Sequence, residues 1–166
     1  LKEEYGEERA QAIFESLLVR NKASIRVTDL SRKEEIKALL EASDSSLSVS
    51  GLVKEQGHFA GHDLFADGAI TIQDESSQLV APTLDLKGDE QVLDACAAPG
   101  GKTAHIASYL TTGQVTALDL YDHKLDLIQE NAQRLGVADR IQTQKLDARK
   151  VHEFFGQDSF DKILVD

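Results

Sequence analysis

Four aspartates, Asp94, Asp119, Asp147 and Asp166, each close a run that reads as a strand, and a stretch of small residues follows the first of them. That stretch, Cys96, Ala97, Ala98, Pro99, Gly100 and Gly101 ahead of Lys102, has no side chain large enough to keep a ligand from the backbone. A helix opening near Lys102 adds unpaired amides and the positive end of its dipole, which suits an anionic or polar ligand group. Carboxylates at the ends of neighbouring strands are suited to binding hydroxyl and amino groups. Together these residue types point to a nucleotide-like ligand.

Gly101, Lys102 and Thr103 invite a phosphate-binding P-loop, but that motif needs a glycine five residues before its second one, where Cys96 stands. Pro99 also removes an amide from the cradle. A Rossmann-like site asks instead for an acid at the end of the next strand, roughly twenty residues on, to hold ribose hydroxyls. QVTALDL supplies Asp119, and the same rule covers Asp147 after IQTQKLD and Asp166 after FDKILVD.

The elements that must position these groups follow from the pattern. From Gly88 onward strand and helix alternate, which predicts parallel βαβ units, with Gly113 and Gly136 as caps after the first and second crossover helices. Leu125, Ile128, Ala132 and Leu135 form the buried face of the second helix. Just upstream, AITIQ reads as a strand, Asp74 as the N-cap of the next helix, and Pro82 as the residue that ends or bends it. Earlier still, Ala10, Ile13, Phe14, Leu17 and Leu18 make one apolar stripe on a helix, and SIRVTDL and SLSVSGLV read as strands. Between those strands, Ser31 and Glu34 are spaced as a capping box for a helix that buries Ile36, Leu39 and Leu40. The division expected is 1–66, a helix and small α+β unit, and 67–166, a Rossmann-like α/β domain.

VLDACAAPGGKT resembles the first motif of the RNA cytosine-5 methyltransferases, and ITIQDESSQLVAP resembles the Sun/Fmu branch, which acts on small-subunit ribosomal RNA. The resemblance is strong from about Ala69 to Asp166 and weaker before. It implies S-adenosyl-L-methionine as cofactor, with Cys96, Ala97, Ala98, Pro99, Gly100, Gly101 and Lys102 around its methionine and ribose part. It further implies Asp119 on the ribose hydroxyls, Asp147 beside the adenine, and Asp166 at the start of the motif nearest the methyl group. The unit at 1–66 then corresponds to an RRM-like module, although the aromatic platform on which an RRM stacks bases is not visible. Family members continue past the position of Asp166 through a proline-cysteine motif and the cysteine that attacks the base. The seven-stranded sheet of such enzymes would be represented here by a half in the order 3-2-1-4, and the sequence as given would bind cofactor without catalysing.

Some duller readings stand beside these. Asp147 fits the N-cap of a short helix containing Val151, Phe154 and Phe155 as well as it fits adenine. Asp119 could cap the helix after it. Cys96 is the one cysteine, with no base placed by sequence to activate it, so a small residue in a tight loop is the simpler role. A NAD-type or other nucleotide-binding domain, and a non-catalytic interaction module, remain alternatives of other classes.

Composition sets bounds. Hydrophobic content of 41% and charged content of 28% fit a folded chain rather than a disordered one. No apolar run approaches a membrane span, and one cysteine makes a reducing cytoplasm the expected compartment. His58 and His62, four apart but among glycines, do not suggest a metal site. A net charge of -11 argues against strong RNA binding, since phosphates need clustered bases. One local excess, Arg20, Lys22, Arg26, Arg32 and Lys33 against Asp29, reads either as solvated surface or as an RNA contact. Finally, FDKILVD is an apolar strand with no successor in the sequence, so self-association through its edge is expected.

Overall fold

Two sheets built on different rules divide the chain, as the change from isolated strands to strand-helix alternation predicts. A computed structural model of the protein describes residues 2–18 and 22–166. Two helices, α1 (Lys2–Tyr5) and α2 (Glu7–Leu18), come first. The antiparallel sheet that follows contains β1 (Ala23–Val27), β2 (Ser43–Asp44), β3 (Gly51–Lys54) and β4 (Ile70–Ile72), in the order β2-β3-β1-β4. Alternate residues Ile25 and Val27 of β1, with Leu52 and Ile70, bury against Ile36 and Leu40 of α3 (Lys33–Leu40) and Leu64 of α4 (Asp63–Ala66). The pairing of β4 with β1, Ile25 opposite Ile72, carries this sheet past the boundary expected at residue 66.

After α5 (Glu75–Gln78) and α6 (Val80–Thr83), the second sheet holds β5 (Gln91–Asp94), β6 (Gln114–Asp119), β7 (Ile141–Lys145) and β8 (Lys162–Leu164). Its order is β7-β6-β5-β8 and every pair is parallel. This is the 3-2-1-4 half of a Rossmann-like methyltransferase fold. The connections carry α7 (Gly101–Ala107), α8 (Asp122–Arg134) and α9 (Val151–Phe154). Val92 and Val115 pack on Ala104, Ile106 and Ala132, while Ala97 and Ala117 meet Ile128. The free edge of β8 is bonded to no described strand, and Ile163 beside it is 56% exposed.

Several local expectations are corrected. Asp29, not Ser31, is the capping acceptor: it takes the Ser31 amide at 2.9 Å over a turn at Leu30–Arg32, and α3 begins after that turn. Leu39 faces solvent because Ile36 and Leu40, four apart, define the inward stripe. SLSVSGLV is a strand only from Gly51, since Ser45 Oγ accepts from the amides of Leu47 and Ser48 and curls the preceding residues into a turn. Of the α2 stripe only Ala10 is buried, while Phe14, Leu17 and Leu18 are exposed. Pro82 acts one turn ahead of itself: it offers no amide to Gln78, and the helix breaks at Leu79. Gly113 does not cap α7, which ends at Ala107; a side chain there would strike the Glu90 carbonyl oxygen at 2.3 Å. Gly136, at φ +69°, does follow α8 in the left-handed conformation.

Candidate functional site

The loop between β5 and α7 is tied at both ends, and those ties shape the cavity in front of it. Asp94, 2% exposed, accepts a 2.7 Å bond from the buried Thr103 hydroxyl, which staples the first turn of α7 to the strand end. Burial pushes the Asp94 carboxyl above its ordinary range, against the opposing pull of Thr103. The Ala97 amide bonds the Leu118 carbonyl at 2.9 Å and the Gly100 amide bonds the Ala97 carbonyl at 2.7 Å. Gly100 is at φ +96°, and a side chain there would press on the backbone of Ile128 at 3.0 Å, so the loop sits directly on α8. The first backbone bond inside the helix, Ala104 to Gly100, leaves the amides at Gly101 to Thr103 ahead of it.

In front of the loop lies a cavity of about 330 Å³ at the carboxyl ends of β5 and β8. Seven of the expected site residues line it: Cys96, Ala97, Ala98, Pro99, Gly101, Lys102 and Asp166. Lys102 Nζ meets Asp166 Oδ2 at 2.6 Å across the mouth. A cation in the first turn of α7 opposes the helix dipole, and Asp166 supplies the counter-charge.

Three expected residues lie elsewhere. Gly100 faces α8 behind the loop. Asp119 ends β6 half-buried, and its Oδ1 accepts the Tyr121 amide at 3.2 Å. Asp147 caps the turn Ala148–Lys150, accepting the Arg149 amide at 3.0 Å and the Arg149 guanidinium at 2.6 Å. That guanidinium holds its carboxyl down at about 2. Of the two roles the sequence left open for Asp147, the capping geometry is therefore present.

The opposite wall comes from residues of ITIQDESSQLVAP that were given no site role: Ile72, Gln73, Asp74 and Ser77. Asp74 occupies the N-cap position of α5 but its side chain makes no capping bond. Gln73 is buried, and its Oε1 accepts from the buried Arg26 Nε at 2.8 Å, leaving Nε2 without a partner. The signal available in the sequence was position, since Gln73 and Asp74 directly follow a strand. That strand belongs to the other sheet, which the sequence did not reveal.

Among the described residues, the bases of the local excess are buried or paired with acids. Arg26 is 3% exposed inside the first sheet, its guanidinium brought down to about 10 by burial. Lys22 pairs with Glu55 at 2.7 Å, Arg32 with Glu35 at 3.2 Å and Lys33 with Asp44 at 2.9 Å. Folding brings acids to these bases that a sequence window around Asp29 does not contain. Arg20 lies outside the described residues. His62 caps α4 by accepting the Leu64 amide on Nδ1 at 3.1 Å. No helix among the described residues is long and apolar enough to cross a membrane.

Known proteins share this arrangement. A Bacillus subtilis (strain 168) protein described as a probable ribosomal RNA small subunit methyltransferase B is 44% identical over 169 residues, which span 98% of this chain and 38% of that protein. The chain therefore corresponds to well under half of that relative. A crystal structure of a methyltransferase homologue from Pyrococcus horikoshii superposes with a TM-score of 0.82 at 29% identity, over 98% of this chain and 55% of that one. NSun6 from the same organism, solved with SFG, shares the fold with a TM-score of 0.88 at 21% identity, over 99% and 68% of the two chains. Residues 81–166, which run from α6 through β8 and contain the loop, Lys102 and Asp166, match the family described as 16S rRNA methyltransferase RsmB/F, and the chain belongs to that family.

Proposed function

We propose that the cavity holds S-adenosyl-L-methionine and that the protein containing this chain methylates carbon 5 of a cytosine in small-subunit ribosomal RNA. The observation that carries the cofactor reading is the open cradle at Gly101: a side chain there would project toward the cavity and meet nothing nearer than Gln73 Nε2 at 4.0 Å. Glycine keeps that space free for a ligand to reach the backbone amides. When bound, the cofactor supplies an electrophilic methyl group. The residues of this chain bind and orient. The amides at Gly101 and Lys102 and the Lys102 ammonium suit the carboxylate of the amino-acid end. Asp119 has its Oδ2 unbonded by any described residue and suits the ribose hydroxyls. At Asp147 both oxygens already accept from the exposed Arg149. Its part in the cofactor site is to fix the turn after β7.

The cytosine-5 reading rests on the resemblance of VLDACAAPGGKT and ITIQDESSQLVAP to that family. Its chemistry needs a cysteine that bonds the base and makes carbon 5 nucleophilic enough to take the methyl group. Cys96 is not that cysteine: it is exposed in the loop of the cofactor site, with no base bonded to its sulfur among the described residues. The test is a side-by-side titration with S-adenosylhomocysteine, NAD and ATP. Only S-adenosylhomocysteine is expected to raise the melting temperature, and Gly101→Ala, which fills the cradle, is expected to abolish most of that rise. An ATP or NAD shift as large as that of S-adenosylhomocysteine overturns the reading.

A further inference from the structure

We propose that a second groove, beside the cofactor cavity, holds one nucleobase of the RNA substrate and prefers a base carrying an exocyclic amino group. The inference rests on the function proposed above. The groove has a volume of about 340 Å³ and shares two of its residues, Ile72 and Pro99, with the cofactor cavity. The two therefore adjoin, the groove itself lying between β4 and α8. Ile72 is 52% exposed and Leu127 is 45% exposed, so two aliphatic side chains stand in solvent on opposite elements facing the same space. Aliphatic side chains gathered on two walls of one groove give a ligand with apolar faces something to pack against.

The polar groups decide which ligand. Arg134 would suggest a phosphate, but its four Nη donors are spent inside the protein. Nη1 bonds the carbonyls of Phe65 at 2.8 Å and Ile70 at 3.2 Å, and Nη2 bonds Thr71 Oγ1 at 3.3 Å and Asn131 Oδ1 at 2.6 Å. Glu130, also in the wall, is exposed and takes part in no hydrogen bond or ion pair among the described residues. A carboxylate repels phosphate and accepts from an amino group. The occupant that fits two aliphatic walls and one free acceptor is a flat heterocycle with an N–H₂ edge. Cytosine, adenine and guanine carry one and uracil does not. Bases splayed from single-stranded RNA are bound in this way, by their faces and one edge.

The test follows methyl resonances of Ile72 and Leu127 by NMR during titration with cytidine and, separately, uridine. Uncharged nucleosides remove any phosphate contribution. Cytidine is expected to shift both methyls saturably and several-fold more tightly than uridine, with S-adenosylhomocysteine already bound. Glu130→Leu, a change on the exposed face of α8, is expected to erase the difference between the two nucleosides. Equal binding of both nucleosides overturns the inference, as does a cytidine response confined to Ala97 and Ala98 or no response at all. S-adenosylhomocysteine is read in the same spectra at the methyls of Ala97 and Ala98, which line the cofactor cavity. Its failure to shift them would strike the cofactor reading, while the nucleoside comparison still decides the groove.

Discussion

Lys102 and Asp166 face each other at 2.6 Å although they belong to different crossover units, one opening α7 and the other following β8. Both are partly exposed, so their attraction is screened and contributes at most about 1 kcal/mol to stability. We expect Lys102→Met to leave the melting temperature within a few degrees of the parent and to weaken S-adenosylhomocysteine binding by about ten-fold, as loss of a charge-assisted bond would. Isothermal calorimetry checks the affinity. Unchanged binding would reduce Lys102 to a partner of Asp166 alone.

Asp119→Ala separates the observed bond from the Tyr121 amide and the proposed ribose contact. The bond from the Tyr121 amide is long and near the surface, and its loss should cost about 0.5–1 kcal/mol of stability. Loss of the ribose contact should cost about 1.5–3 kcal/mol of binding. Urea unfolding and calorimetry read the two separately. A stability loss with full affinity would leave only the local turn.

His105 gives the fold a pH dependence. Burial in α7, with Arg26 adding to it, brings its imidazole down to about 3, and its Nδ1 has no partner. The unfolded chain binds a proton at this residue near its ordinary value, whereas the folded chain does not. The stability it contributes is present above that value and is lost as pH falls toward the folded one. Between about pH 7.5 and about pH 5 the loss should be about 2 kcal/mol. His105→Leu is expected to remove that slope in denaturant unfolding across the same interval. A variant as acid-sensitive as the parent would assign the slope to other groups.

Arg134 joins the two sheets. Its guanidinium lies 3.9 Å from the centre of the Phe65 ring while bonding the Phe65 and Ile70 carbonyls. Arg134→Met keeps the aliphatic stem but takes the donor from the Ile70 carbonyl, while the Phe65 carbonyl keeps the Gly68 amide, and should cost about 1–2 kcal/mol. Lysine, which cannot serve four acceptors from one plane, should recover little of it. Circular dichroism melts of the two variants check this.

The parts of the fold legible in the sequence were those set by local pattern. Val92–Asp94, the small-residue loop and the alternation after Gly88 predicted parallel βαβ units, because each crossover unit is contiguous, while the order 3-2-1-4 came from the family resemblance. The loop side of the cavity was legible for the same reason. The Gln73 wall was not, since it depends on β4 pairing with β1 across more than forty residues (Ile25 opposite Ile72). Ion pairing such as Lys33 with Asp44 and the burial of Arg26 were hidden likewise: charge counts along a sequence say nothing about which acid a fold will bring to which base. The exposed α2 stripe shows the converse, a clear helical period whose helix formed without burying the apolar face that the period marks.

The short strand β4 hydrogen-bonds in the first sheet, and the residues at its end form a wall of the cavity in the second. The two units are consequently not interchangeable cassettes. A hybrid of two relatives spliced at residue 66 would take its cavity wall from one parent and the strand β1 that holds that wall from the other. Grafting between members of the family should instead cross over after Ser77, where the wall is complete and travels with the sheet that positions it.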